Sequence, residues 1–196
     1  MPRDIRTITE PGDLRALAHP LRLRLLGALR LEGPATASEL ARRFEVSSGL
    51  TSYHLRALAR SGFVEDDPHG TGGRQRRWKA SHDGHSWFVP SEKDDPVGFA
   101  GRIEATRALN VEVARLWGGL LEKAARNEPD LDERWRGAVS FLDRWLELTP
   151  EQLRRLGEEV TAVLDRFEAE EGASSDGAAP RVAVVFAAFP DDGRLP

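Results

Sequence analysis

The stretch PATASELARRFEVSSGLTSYHLRALARSGFVEDDPHGTGGRQRRWK, residues 34–79, decides the fold. Thr36 followed three positions later by Glu39 marks a capped helix start, and Leu40 and Phe44 give that helix an apolar side. After Glu45 and Val46, Ser47 caps a second helix running to about Ser61, with Leu55 and Leu58 on its buried side. Gly62 suits the left-handed residue that ends it. Phe63 and Val64 open a β-hairpin whose turn, residues 67–73, precedes a returning strand from Arg74 to Ala80. Two helices on a tight turn, then a glycine-tipped, arginine-rich hairpin, are the parts of a winged helix-turn-helix. DNA is therefore the first partner to consider.

Before this stretch, Asp13 to Ala18 reads as a short helix and Pro20 takes the favoured first-turn position of the next one. Leu21, Leu25 and Leu29 recur at four-residue spacing and supply a floor for the following helices. After it, Ser81 to Asp94 is a connector with Trp87, Phe88 and Val89 as an apolar plug. Asp95 and Pro96 signal a long helix from Val97 to about Asn127, in which Leu109, Val113, Leu116, Leu120 and Ala124 form a wide stripe. A break at Glu128 to Asp130 leads to a shorter helix carrying Trp135, Val139, Leu142, Trp145 and Leu146. Thr149, Pro150 and Gln152 form a second capped start, with Leu153, Leu156, Val160, Val163 and Phe167 facing inward.

Residues 168–180 are acidic, then small and polar, a composition expected to be mobile. Arg181 to Phe189 is an unbroken β-prone run, so a terminal strand is predicted, paired with the connector near Trp87 to Val89 or with the same strand of a second copy. The predicted fold is mainly α with a small β-hairpin wing: a winged helix-turn-helix over residues 1–85, and a helical domain over 86–196 ending in strand 181–189. The second part reads as a dimerisation domain and a candidate effector domain.

The net charge of −4 looks wrong for a DNA binder until it is divided. From Leu14 to His82 there are twelve basic and six acidic residues, a balance of +6, which leaves −10 for the remainder. An electropositive module beside an acidic one favours a single docking face on DNA. Cysteine is absent, which excludes disulfides, thiolate metal sites and thiol nucleophiles. The first residues lack the apolar run of a signal peptide and no stretch approaches a membrane span, so a cytoplasmic location and no membrane contact are expected. Arginine far exceeds lysine among frequent Ala, Gly and Pro, as in high-GC bacteria.

The helix from Ser47 spans about 20 Å and fits the major groove. With Leu55 and Leu58 buried, its opposite side carries Ser48, Gly49, Ser52, Tyr53 and Arg56, which with the capping Ser47 are the candidate DNA contacts of this helix. Small residues at the front let the backbone approach base edges, and Arg56 reaches a phosphate or a guanine. Arg42 and Arg43 at the end of the preceding helix, and Arg74, Arg76 and Arg77 on the wing, are placed for phosphates or the adjacent minor groove. His54 is expected to be packed and hydrogen-bonded behind this face, and Trp78 to pack on the hairpin.

The segments ALAHPLRLRLL (residues 16–26), SELA (38–41), SYHLRAL (52–58), SGFVE (61–65) and GRQRRW (73–78) resemble the ArsR/SmtB-like, or arsenical-resistance-repressor, family of bacterial transcriptional regulators. The resemblance covers about residues 13–82, and the tail is similar to long-tailed members common in actinobacteria. It implies a homodimeric repressor on a palindromic double-stranded DNA operator, with the helix from Ser47 in the major groove and the wing flanking it.

The chain departs from the family's metal sensors: no cysteine lies in Ser38 to Arg43 and no histidine in the long helix from Val97. The histidines of His82-Asp83-Gly84-His85 read as a polar loop rather than a zinc site. No metal and no cofactor are expected. Trp117, Trp135, Phe141 and Trp145 are a candidate pocket for a small apolar ligand, against the reading that they fill a helical bundle. An enzyme is disfavoured, since no Gly-rich loop follows a strand and no catalytic triad or convincing pair of catalytic carboxylates appears. The alternative is a winged-helix protein-interaction module without DNA binding, which the acids Glu65, Asp66 and Asp67 at the base of the wing would suit.

Overall fold

The structure, a computed structural model, describes residues 4–68, 76–89, 91–93, 96–127, 131–170 and 182–190. Its elements are β1 (Ile5–Thr7), α1 (Pro11–Leu17), α2 (Pro20–Glu32), β2 (Ala35–Thr36), α3 (Ala37–Phe44), α4 (Ser48–Arg60), β3 (Val64–Asp66), β4 (Arg77–Ala80), β5 (Gly84–Ser86), α5 (Phe99–Asn127), α6 (Glu133–Arg136) and α7 (Pro150–Glu170). The expected wing turn with Arg74, the helix signal at Asp95, the break at Glu128 to Asp130 and most of the 168–180 segment lie outside the described residues. The chain divides into two compact units, residues 3–123 and 124–196.

In the first unit the local signals act as read. Thr36 N–H donates to Glu39 Oε2 at 2.6 Å and Glu39 N–H donates to Thr36 Oγ1 at 3.2 Å, a complete capping box on α3. The turn between α3 and α4 is made by Glu45, a non-glycine residue at φ 56°, in the left-handed region that favours glycine. Ser47 Oγ then accepts from Leu50 N–H at 3.2 Å and starts α4. At the far end Gly62 has φ +70°. Phe63 N–H reaches back to Leu58 O and Gly62 N–H to Ala59 O, both at 3.0 Å, the two bonds of a Schellman stop.

Three short strands were not anticipated. β2 and β3 flank β4 in an antiparallel sheet, with Thr36 opposite Arg77 and Glu65 opposite Lys79. β1 lies parallel to β5, pairing Ile5 with Gly84 and Thr7 with Ser86. At two or three residues each, these strands carry too little pattern to be read from sequence.

One core holds this unit together: Leu14, Leu17, Leu21, Leu25 and Leu29 from α1 and α2, Leu40 from α3, Leu55 and Leu58 from α4, then Phe63, Val64 and Trp78. Ala105, Leu109 and Val113 of α5 belong to it as well. The compact unit runs past residue 85, the expected end of the winged domain, because the first half of α5 supplies part of the core under the helix-turn-helix. Trp87 packs against this core and its Nε1–H donates to Asn110 Oδ1 at 2.7 Å. Phe88 and Val89 are exposed, so the expected apolar plug reduces to Trp87.

The second unit departs from expectation. The predicted helix through Trp135 to Leu146 is confined to α6, and residues 139–149 have no regular structure. Phe141, Leu142, Trp145 and Leu146 are exposed. A short helix is marginal without an apolar face to bury, and among the described residues of this unit none is buried. Residues 182–190 likewise form no strand, correcting the prediction for 181–189. A strand needs a partner edge for its backbone groups, and within the single chain β5 takes β1 as its neighbour instead. The second capped start does form: Thr149 N–H donates to Gln152 Oε1 at 2.7 Å and Gln152 N–H to Thr149 Oγ1 at 3.3 Å, opening α7. No helix among the described residues is long and apolar enough to cross a membrane.

Candidate nucleic-acid interface

α4 is two-sided in the way the sequence required. Thr51, His54, Leu55, Ala57 and Leu58 are buried, whereas Ser47, Ser48, Gly49, Tyr53 and Arg56 are exposed and Ser52 is half-buried. Leu50 is exposed at the edge of this face. Among the described residues nothing lies within 4 Å of where a Cβ on Gly49 would stand, so the backbone there is open to an incoming base edge.

The arginines around this face differ in what already engages them. Arg42 and Arg56 are exposed and form no ion pair among the described residues. Arg43 pairs with Glu32 and lies 5.5 Å from the centre of the Phe44 ring. Arg76 Nε is 3.0 Å from Asp66 Oδ2, and its guanidinium stacks over Trp78 at 3.9 Å. Arg77 lies 3.5 Å from Glu39 Oε2 and donates to the carbonyl of Pro34, which ties the wing to the start of α3. Arg74 falls outside the described residues. Trp78 is buried, 4% exposed, as the packing reading expected.

Sequence reasoning missed these ion pairs. Glu65, Asp66 and Asp67 were visible as acids at the base of the wing, but their partners follow from strand register, which the sequence alone does not set.

Behind the face, His54 is 5% exposed and its ring lies tilted against that of His19, the N-cap of α2. His54 Nδ1 has no hydrogen-bond partner among the described residues, so the residue is packed but not hydrogen-bonded there, correcting that half of the expectation. Burial lowers the pKa of both rings; for His54 the charges of His19 and Arg22 lower it further. The His82 to His85 segment is held by other partners. His82 Nδ1 lies 2.8 Å from Asp4 Oδ2, and Arg30 bonds the His85 ring. Burial first, then Arg30, pushes His85 down to about 3. No three histidine, aspartate or glutamate side chains converge as metal ligands among the described residues.

The aromatics expected to line a ligand pocket are divided. Trp117 is on α5 in the first unit, partly buried against the core. Trp135, Phe141 and Trp145 belong to the second unit, where Phe141 is 57% and Trp145 69% exposed. Two open hollows of about 380 Å³ each lie along α5, and neither is lined by any of the four.

The family model described as a helix-turn-helix domain matches residues 17–67, which is the span of α2, α3, α4 and β3. This segment is a helix-turn-helix domain. A search of curated proteins finds no match. Among solved structures the chain is similar to a ZitR double mutant from Lactococcus lactis, at 11% identity over 76% of this chain and 75% of that one, with a TM-score of 0.32. It is also similar to the adhesin competence repressor AdcR from Streptococcus pyogenes, at 13% identity over 76% and 82%, with a TM-score of 0.30. Overlaps this low carry nothing beyond what the helix-turn-helix domain itself shows.

Proposed function

We propose that this protein is a sequence-specific DNA-binding transcriptional regulator, a repressor acting as a cytoplasmic homodimer, with no catalytic role and no metal as its signal. The observation that carries the reading is the division of α4. Its small and hydroxyl-bearing residues, with Arg56, are open on one side while Leu55 and Leu58 anchor the other. In this reading Ser48, Gly49, Ser52, Tyr53 and Arg56 meet base edges, and Arg42, Arg43 and the wing cations Arg74, Arg76 and Arg77 meet phosphates. Residues 1–85 supply the DNA contacts and residues 86–196 the dimerisation and effector functions, with the first half of α5 shared by both.

Incubating the full chain with random-sequence DNA and sequencing the retained fragments tests this. A recovered palindrome, bound with steep salt dependence and lost in the Arg42→Ala plus Arg56→Ala variant, is the expected result. Absence of any retained DNA at low salt would overturn it. That outcome would favour the second reading, a winged-helix protein-interaction module. The neutral balance of the described wing strands supports that alternative, since Glu65, Asp66 and Asp67 offset Arg76, Arg77 and Lys79.

A further inference from the structure

The wing of this module is much less basic than its arginines suggest. Of the +6 balance between Leu14 and His82, residues 14–62 hold eight basic and three acidic side chains, or +5. Residues 63–82 hold four and three, or +1. The neutralisation is specific. Register sets Glu65 opposite Lys79, and their charged atoms lie 2.9 Å apart. Asp66 lies opposite Trp78, and its carboxylate meets the Arg76 guanidinium that is stacked on that indole. Arg76 is thus fixed from two sides, by an aromatic face and by an anion.

We propose that Asp66 masks the wing against DNA: its carboxylate occupies the place on Arg76 that a DNA phosphate takes, so a duplex of any sequence gains little by engaging the wing. This rests on the DNA-binding reading of α4. The exchange replaces one anion by another on the same guanidinium, so the ion pair lost offsets much of the one gained. Once displaced, the Asp66 carboxylate, whose side chain is 55% exposed, returns to solvent, so the cost of the exchange is the ion pair it gave up. Binding to any sequence is thereby weakened at the wing, and the base contacts of α4 decide which duplex is held. Arg77 is different: its contacts to Glu39 and Pro34 fasten the wing to α3, and it is a positioning residue rather than the exchanging one.

The test is a double-mutant cycle on the full chain, read by fluorescence anisotropy with a short random-sequence duplex at low salt. Asp66→Asn is expected to tighten binding by about two- to five-fold, the range that an exposed ion pair spans. In the Arg76→Gln background the same substitution is expected to change binding by less than about 1.5-fold, because the pair is already gone. Asp66→Glu, which keeps the pair, should bind as the unaltered chain does. The affinity for a fragment selected from a random pool should rise by the same factor, because the masked contact is to a phosphate and not to a base.

Equal tightening in both backgrounds would mean that Asp66 acts as a through-space charge, and would overturn the proposal, as would no tightening at all. If neither the unaltered chain nor Asp66→Asn binds DNA, the reading of α4 has failed and the role of Asp66 falls with it. Binding by the unaltered chain with an additive cycle sinks this inference alone. A thermal melt of each variant separates loss of fold from these outcomes.

Discussion

The imidazoles of His19 and His54 lie with ring centroids 4.4 Å apart and planes tilted by 42°, which joins the N-cap of α2 to the middle of α4. His19 Nδ1 accepts from Leu21 N–H at 3.1 Å, which only a ring unprotonated at that nitrogen can do. This contact seats the middle of α4 directly on the start of α2.

Acid should loosen this joint. Burial lowers both histidines, and Arg22 adds to the lowering on each, while Glu112 opposes it at His19. The unfolded chain then binds more protons than the folded one between the folded value and the ordinary 6.5. The stabilisation is complete above about pH 6.5 and is lost as pH falls through the window beneath it, at up to about 1.4 kcal/mol per pH unit for each proton. His85, held at about 3, carries the loss further toward acid. Urea midpoints at neutral and mildly acid pH measure this, and equal midpoints would contradict it. His54→Phe, which keeps a ring against His19, should flatten part of the slope.

The capping box makes a second prediction. Thr36→Ala removes the acceptor for Glu39 N–H and is expected to cost about 1 kcal/mol of unfolding free energy. Glu39→Gln retains an acceptor for Thr36 N–H but loses the ion pair to Arg77, and at this exposed position the change should stay within about 0.5 kcal/mol. Denaturant titration ranks the two; a costlier Glu39→Gln would show that the Arg77 link dominates.

A third concerns where the core ends. Leu58 and Leu109 are both 0% exposed, so Leu58→Ala and Leu109→Ala should each cost roughly 2–5 kcal/mol. Leu142, 75% exposed, should tolerate alanine within about 0.5 kcal/mol in the isolated chain. A chain cut after residue 123 should melt well above one cut after residue 85, because only the longer one keeps Ala105, Leu109 and Val113. Equal melting would show that α5 adds nothing to the fold of the helix-turn-helix.

A fourth separates the arginines by what they read. Arg42→Ala should weaken binding to all duplexes alike and reduce the salt slope by about 0.9, the value for one phosphate contact. Arg56→Ala should instead relax sequence preference at one position. Measuring affinities over a salt series on a selected fragment and a random duplex distinguishes the two patterns. Identical patterns would remove Arg56 from the base-reading set.

The helix-turn-helix was legible because each of its boundaries is set by local chemistry. Thr36 with Glu39, Ser47, and Gly62 act over a few residues and need no distant partner. Contacts that depend on register were not legible. The pairing of Asp66 with Arg76 and of β1 with β5 follows from how distant strands align. The helix predicted through Leu142 failed for a related reason: its apolar spacing assumes a surface to bury against, and no described residue of its own unit is buried to supply one. His54 was placed behind the face by its neighbour Leu55, but that its companion would be His19, 35 positions earlier, is a tertiary fact.

The parallel ladder between Ile5–Thr7 and Gly84–Ser86 joins segments 79 residues apart. Closing so long a loop for so few bonds is costly, so the ladder should zip last, once the helices have brought its two halves together. It is also the first seam to open, and the amides of residues 5–7 should exchange with solvent well before those of α4. The module thus has a latch that can be undone without melting α4.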